Sequence, residues 1–413
     1  MFRISRFMRE LAAAERSGQY PMVQERRPTQ PVGPVVIWNL IRRCNLTCKH
    51  CYALSADHDY PGELSTQEIF GVMHDLRAYH VPVLILSGGE PLLRPDLFEI
   101  AEHAKGLGFY VGLSSNGTLI DGRMADRIAA LGFDYVGISL DGLRETHDRF
   151  RRKLGAFDAS LAAVRALRDR GVDVGLRYTM TDMNAADLPD LLQLVHDEGV
   201  AKFYFSHLNY AGRGNIHRER DAHFTATRDA LDRLFDAAWV AAVNANSLEY
   251  VTGNNDADGV YLLLWVRRHL PRWADAVQAR LRAWGGNASG LHVANIDNLG
   301  HVHPDTMWWH HDLGSVRERA FSQIWSDTSD PLMAGLKQQP RPVTGRCGGC
   351  VHLDICGGNT RVRAQQVTGN PWAEDPGCYL DDSEIGLAAA TPASAAARVR
   401  VTPFAQRIRV LPC

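Results

Sequence analysis

No uninterrupted apolar run in this 413-residue chain approaches the roughly 18 to 20 residues that cross a bilayer, so a soluble protein with no membrane partner is expected. Neither sign of charge is in excess: Lys plus Arg number 45 and Asp plus Glu 47. A nucleic-acid partner is therefore not indicated, and a small-molecule substrate fits better. The N-terminus, MFRISRFMRELAAAERSGQY, lacks the continuous apolar region and cleavage site of a secretory signal, which predicts a cytoplasmic location. No internal repeat is present. Cysteine is scarce and unevenly placed: of eight, three are Cys44, Cys48 and Cys51, four are Cys347, Cys350, Cys356 and Cys378, and Cys413 stands alone. A disulfide framework would spread its cysteines through a small secreted chain, whereas close-spaced thiols in a reducing compartment read as metal ligands.

Between Val35 and about Tyr210, short β-branched runs alternate with amphipathic stretches of helix length. The pattern predicts strands at 35–40, 83–87, 110–114, 135–140, 174–179 and 203–208. Helix starts are expected at the capping box Ser65 to Glu68, near Pro95 and Asp96, and after Asp121. Strands alternating with helices imply parallel pairing through helical crossovers. The expected fold class is therefore α/β, a partial (βα)6 barrel with its chemistry at the C-terminal strand ends. Around this core of 35–211 we expect an N-terminal extension of 1–34 and a mainly helical bridge of 212–290, with its longest helices at 222–244 and 261–284. A second cysteine-bearing domain is expected at 291–382, and a flexible tail rich in Ala, Arg, Pro and Ser at 383–413.

Cys44, Cys48 and Cys51 follow the first strand with C-x3-C-x2-C spacing. Three thiolates from one loop can take three corners of a [4Fe-4S] cubane, leaving the fourth iron open to a small chelating ligand. A structural zinc site would close its tetrahedron with a fourth Cys or His. His50 is available on paper, but between two of the cysteines its ring would crowd the same metal. Gly88-Gly89-Glu90-Pro91 follows the second strand, Ser114-Ser115-Asn116-Gly117 ends the third, and Ser139-Leu140-Asp141-Gly142 ends the fourth, with His147-Asp148-Arg149-Phe150-Arg151 after it.

The cysteine loop, with Tyr52 after its third cysteine, resembles the signature of the radical S-adenosylmethionine (SAM) superfamily. That resemblance implies SAM on the open iron, its reductive cleavage, and a 5'-deoxyadenosyl radical that takes a substrate hydrogen. It also implies the SAM contacts: Gly88, Gly89 and Glu90 at the methionyl ammonium, Asn116 at the ribose or adenine, and Ser139 with Arg151, the arginine facing the carboxylate.

The four later cysteines would close every iron of a second cubane, or one zinc ion. With Asn298, Gly300, Val302 and Pro304 upstream, the segment resembles the SPASM/twitch extension, which implies an auxiliary [4Fe-4S] cluster held by Cys347, Cys350, Cys356 and Cys378. Full SPASM domains carry seven cysteines and two such clusters. Here Asp305 stands where a cysteine would follow Pro304, and the run Gly357-Gly358-Asn359-Thr360 lacks the next one. The expected cofactors are two [4Fe-4S] clusters and SAM; Cys413 is expected to be a free thiol.

The stretch from Pro34 to Tyr52, and then Tyr60 to Thr66, is similar to heme d1 biosynthesis enzymes of this superfamily, and the similarity runs to about Leu380. It implies a tetrapyrrole substrate, 12,18-didecarboxysiroheme, which loses two propionate side chains and gains oxo groups, and an electron donor such as flavodoxin or ferredoxin. The run Trp308-Trp309-His310-His311 could approach a siroheme iron or the auxiliary cluster. Two rival readings stand beside this one. A peptide-modifying enzyme often carries a leader-binding domain of about 80 residues, and some 34 precede the first strand here. A non-catalytic iron-sulfur electron carrier would cleave no SAM.

Overall fold

The structure, a computed structural model, describes residues 1–21 and 32–387. Six strands form where the β-branched runs place them: β1 (Val35–Ile41), β2 (Val83–Gly88), β3 (Tyr110–Ser115), β4 (Tyr135–Ser139), β5 (Val174–Met180) and β6 (Lys202–His207). Each pairs in parallel with the next, because the helix after each strand carries the chain back to the same end of the sheet. Trp38, Leu84, Leu86, Leu113 and Ile138 lie fully buried, each worth about 1.5–3 kcal/mol of burial.

The helix starts follow local chemistry. Glu68 accepts from Ser65 N at 2.7 Å while Ser65 Oγ accepts from Glu68 N at 3.3 Å, completing the box at the head of Thr66–Ala78. Asp121 caps Gly122–Leu131 by accepting from Met124 N at 2.8 Å. Asp96 precedes the helix Leu97–Gly106 without capping it; its carboxylate is taken by Arg94 at 2.8 Å and by the Thr66 hydroxyl at 2.6 Å.

The sheet is larger than six strands. β7 (Glu249–Gly253) adds in parallel beside β6, β8 (Val293–Ile296) adds in parallel beside β1, and β9 (Val302–His303) runs antiparallel to β8. The order is β7-β6-β5-β4-β3-β2-β1-β8-β9, and the barrel stays open. The segment 212–290, expected to be mainly helical, thus also supplies a barrel strand. The stretch 261–284 is not one helix: Pro271, with no N–H to give, interrupts it, leaving Ala257–His269 and Ala274–Trp284. The stretch 222–244 forms the helix Phe224–Val243.

Residues before the barrel are docked on its edge. Phe2 bridges antiparallel to Thr252 of β7, Arg3 pairs with Glu249 at 2.5 Å, and the helix Ile4–Ser17 packs on β7 and on Phe224–Val243. At the other end the packed chain continues to residue 387, with Glu384 paired to Arg228 and Ile385 buried. Residues 388–413, including Cys413 and most of the expected tail, lie outside the described residues. Among the described residues no helix is long and apolar enough to cross a membrane.

Candidate active site

The first cysteine loop leaves the C-terminal end of β1, with Cys44 and Cys48 buried and Cys51 half-buried. Its main chain is tied on three sides. Gly89 N donates to Ile41 O at 2.6 Å and Glu90 N to Arg43 O at 2.9 Å, which joins the turn after β2 to the residues just before Cys44. A Cβ on Gly88 would lie 2.3 Å from Ile41 O, and one on Gly89 2.2 Å from Arg43 O, so both positions demand glycine. Lys49 N donates to Phe150 O at 3.1 Å, and Arg213, just past β6, donates through Nε to Cys48 O at 2.7 Å.

Burial pushes the Cys44 thiol up to about 12 and raises Cys48, with neighbouring negative charge from Glu90 and the other thiols adding to Cys44. Such thiols surrender their protons to a bound cation rather than to water. Two donors face the sulfurs: Asn116 Nδ2 is 3.8 Å from Cys44 Sγ, and Arg151 Nη1 is 3.5 Å from Cys48 Sγ. Three thiols in one loop with hydrogen bonds aimed at sulfur suit an iron-sulfur cluster. His50 stacks on Phe150 and its Nε2 lies 3.9 Å from Asp141. Burial pushes it down to about 4, so it is a neutral imidazole.

The expected SAM residues gather around this loop. Glu90 is fully buried and accepts from Ser115 Oγ at 2.8 Å, Leu92 N at 3.2 Å and Asn116 N at 2.8 Å. Desolvation outweighs these donors and pushes its carboxyl up to about 7. A cation beside it would reverse that shift. Asn116 also donates to Asn45 Oδ1 at 2.9 Å, inside the cysteine loop. Ser139 ends β4, paired in register with Arg177 of β5. Arg151 pairs with Asp141 at 2.5 Å, both side chains buried. Burial would raise the Asp141 carboxyl, but the Arg151 guanidinium, helped by the Thr179 N–H, holds it below its ordinary value. Asp141, Arg177 and Arg213 were not singled out from the sequence. For Arg177 the signal was there, a charged residue between Leu176 and Tyr178 inside a strand.

Cys347, Cys350, Cys356 and Cys378 line a single cavity together with Asn359 and Leu380. Burial raises Cys350 and Cys356 and pushes Cys378 up to about 11. His352 N lies 3.3 Å from Cys350 Sγ as a donor. The four thiols therefore fit a closed site of their own. Tyr379, next to Cys378, donates to Asp258 at 2.7 Å, and Asp258 also holds His207 at the tip of β6 at 3.0 Å.

The two positions without the expected cysteines share one buried polar network. Asp305 accepts from Ser289 Oγ and from Met307 N at 2.7 Å. Arg341 donates to Ser289 O at 2.9 Å and Asn287 Oδ1 at 2.7 Å, Asn287 donates to Asp256 at 2.8 Å, and Asp256 N donates to Asn359 Oδ1 at 2.6 Å. In the His-rich run the imidazoles have partners within the fold: His310 meets Gln365 at 2.7 Å and His311 meets Asp330 at 3.0 Å, while Trp308 is fully buried.

Comparison with known proteins agrees with this geometry. Residues 38–195 match the model of the radical SAM superfamily. The chain is 52% identical over 390 residues to pre-heme d1 synthase of Dinoroseobacter shibae, covering 94% of each. It is 43% identical to the Fe-coproporphyrin III synthase of Methanosarcina barkeri, over 86% of this chain and 89% of that one. Among solved structures, Streptococcus suis SuiB bound to S-adenosylmethionine shares the fold at a TM-score of 0.67 and 15% identity, over 84% of this chain and 78% of that one. The signature loop, the barrel that carries it and these relatives together place the chain in the radical SAM superfamily, to which it belongs.

Proposed function

We propose that this chain is a radical SAM enzyme of heme d1 biosynthesis that acts on 12,18-didecarboxysiroheme, removing two propionate side chains and setting oxo groups in their place. The observation that carries the reading is 52% identity to a pre-heme d1 synthase across 94% of both chains. The reduced cluster, when bound, supplies the electron that cleaves SAM into methionine and a 5'-deoxyadenosyl radical. Cys44, Cys48 and Cys51 would hold that cluster, and Asn116 and Arg151 donate to the Cys44 and Cys48 sulfurs. Glu90, its carboxyl raised to about 7 by burial until a cation arrives, takes the methionyl ammonium beside Gly88 and Gly89. Ser139 contacts the same ligand from the end of β4. Cys347, Cys350, Cys356 and Cys378 hold an auxiliary [4Fe-4S] cluster, and a flavodoxin or ferredoxin supplies electrons.

The test is anaerobic. Reconstituted protein with dithionite and SAM is expected to form 5'-deoxyadenosine, and a visible-absorption titration with didecarboxysiroheme is expected to saturate near one equivalent. Failure to cleave SAM refutes the enzyme. Saturable binding of a candidate peptide, with no response to the tetrapyrrole, would favour peptide modification instead.

A further inference from the structure

Arg177 presents a cation to the barrel interior with no anion to meet it. It stands on β5, in register with Ser139 of β4 and Tyr204 of β6. Its side chain crosses β4 over Gly137, where a Cβ would lie 2.9 Å from Arg177 Cδ. From there one Nη reaches the Ser114 hydroxyl of β3, and the guanidinium sits 5.4 Å from the centre of the Tyr204 ring. Glycines on β3, β5 and β7 make room for the side chains packed around it. A Cβ on Gly112 would meet Ile85, one on Gly175 would meet the Tyr135 hydroxyl, and one on Gly253 would meet the Tyr204 hydroxyl.

No carboxylate among the described residues pairs with Arg177. The titratable groups close enough to feel its charge are His50 and Tyr52 of the cysteine loop, Tyr135 of β4 and Tyr204 of β6. All are neutral near pH 7. Other buried arginines around the two thiol sets have their charge answered or their donors filled, as with Arg151 by Asp141, Arg363 by Asp375 and Arg341 by four main-chain carbonyls and the Asn287 side chain. Of the five Arg177 donors, one has a hydrogen-bond partner among the described residues, the Ser114 hydroxyl.

We infer that Arg177, with the Ser114 and Ser139 hydroxyls beside it, is the binding site for a ligand carboxylate inside the barrel. A planar guanidinium takes a carboxylate through two parallel hydrogen bonds, and low local polarity strengthens them. Resting on the reading above, the carboxylate has two sources, an acid side chain of the tetrapyrrole or the methionyl group of SAM. Arg177 is then a specificity residue that sets how the macrocycle or the cofactor lies against the first cluster.

Equilibrium binding to reconstituted full-length protein separates the two. One arm titrates SAM, the other coproporphyrin III and its tetramethyl ester, with wild type, Arg177→Gln and Arg177→Lys. Loss of a charge-assisted pair is expected to weaken one acid ligand by roughly 10- to 100-fold in Arg177→Gln, with the other ligand and the ester within about twofold. Weakened coproporphyrin III identifies the substrate carboxylate, and weakened SAM identifies the cofactor's. Arg177→Lys keeps the charge and is expected to recover part of the loss, which also serves if the glutamine variant fails to fold. Wild-type affinity for both ligands in folded Arg177→Gln, or in Arg177→Lys where only that variant folds, overturns the assignment. Should wild type bind neither coproporphyrin III nor didecarboxysiroheme, the tetrapyrrole reading fails, and the SAM arm alone decides the role of Arg177.

Discussion

The ion pair between Arg363 and Asp375 offers the sharpest quantitative test. Nε lies 2.9 Å from Oδ1 and Nη2 lies 2.7 Å from Oδ2, with the two side chains 1% and 0% exposed. The same arginine donates to Leu208 O at 3.3 Å and Asn254 O at 2.7 Å, at the ends of β6 and β7, and Cys378 N donates to Asp375 O at 3.1 Å. The pair thus fastens Cys378 to the barrel. Removing one partner strands a buried charge, so Asp375→Ala and Arg363→Met should each cost about 3–5 kcal/mol. Replacing both by apolar residues, Arg363→Met with Asp375→Leu, strands no charge and leaves two main-chain acceptors and the Gly377 N–H short, about 1 kcal/mol each. The double variant should therefore be more stable than either single one. Urea unfolding followed by circular dichroism measures the energies, and iron per chain reports the cysteine site. Additive losses in the double variant, or a loss under about 1 kcal/mol in a single one, would refute the reasoning that charge isolation dominates.

Three further outcomes are expected. The Glu90 carboxyl, raised from 4.5 to about 7 in the folded protein, favours folding when protonated. Its contribution is complete below pH 4.5 and is lost as pH rises through about 7, roughly 3 kcal/mol in all. Glu90→Gln should flatten this part of the pH dependence between pH 5 and 8, and an unchanged slope in urea midpoints counts against it. Gly89→Ala puts a methyl 2.2 Å from Arg43 O; iron should fall from about eight to about four per chain, with SAM cleavage abolished, as the first cubane fails to assemble. Asp305→Ala should leave iron content unaltered while costing about 1–3 kcal/mol, because the Ser289 hydroxyl loses its acceptor; a fall in iron would make Asp305 a ligand.

Much of the core was legible in the chain because its signals are local. The alternation of β1 to β6, the box at Ser65 and Glu68, and the cysteine loop after β1 each rest on residues within a few positions of one another. β7 escaped notice because its five residues have no long apolar run. Its place is decided by β6 on one side and by Phe2 on the other, both distant in sequence. The ion pair of Arg151 escaped notice for a similar reason: its partner Asp141 lies ten residues away, and only the folded chain shows that the two meet. The network through Arg341 joins residues from Asp256 to Asn359, a span that no spacing rule reaches.

Asp258 grips the hydroxyl of Tyr379 with one oxygen and the imidazole at the end of β6 with the other. The gap separating the two sets of thiols is consequently inherited from the sheet instead of being left to a tether. Lengthening the outer helices would leave that gap as it is. Loosening this one carboxylate would not, and whatever molecule reaches across it would find the far wall displaced.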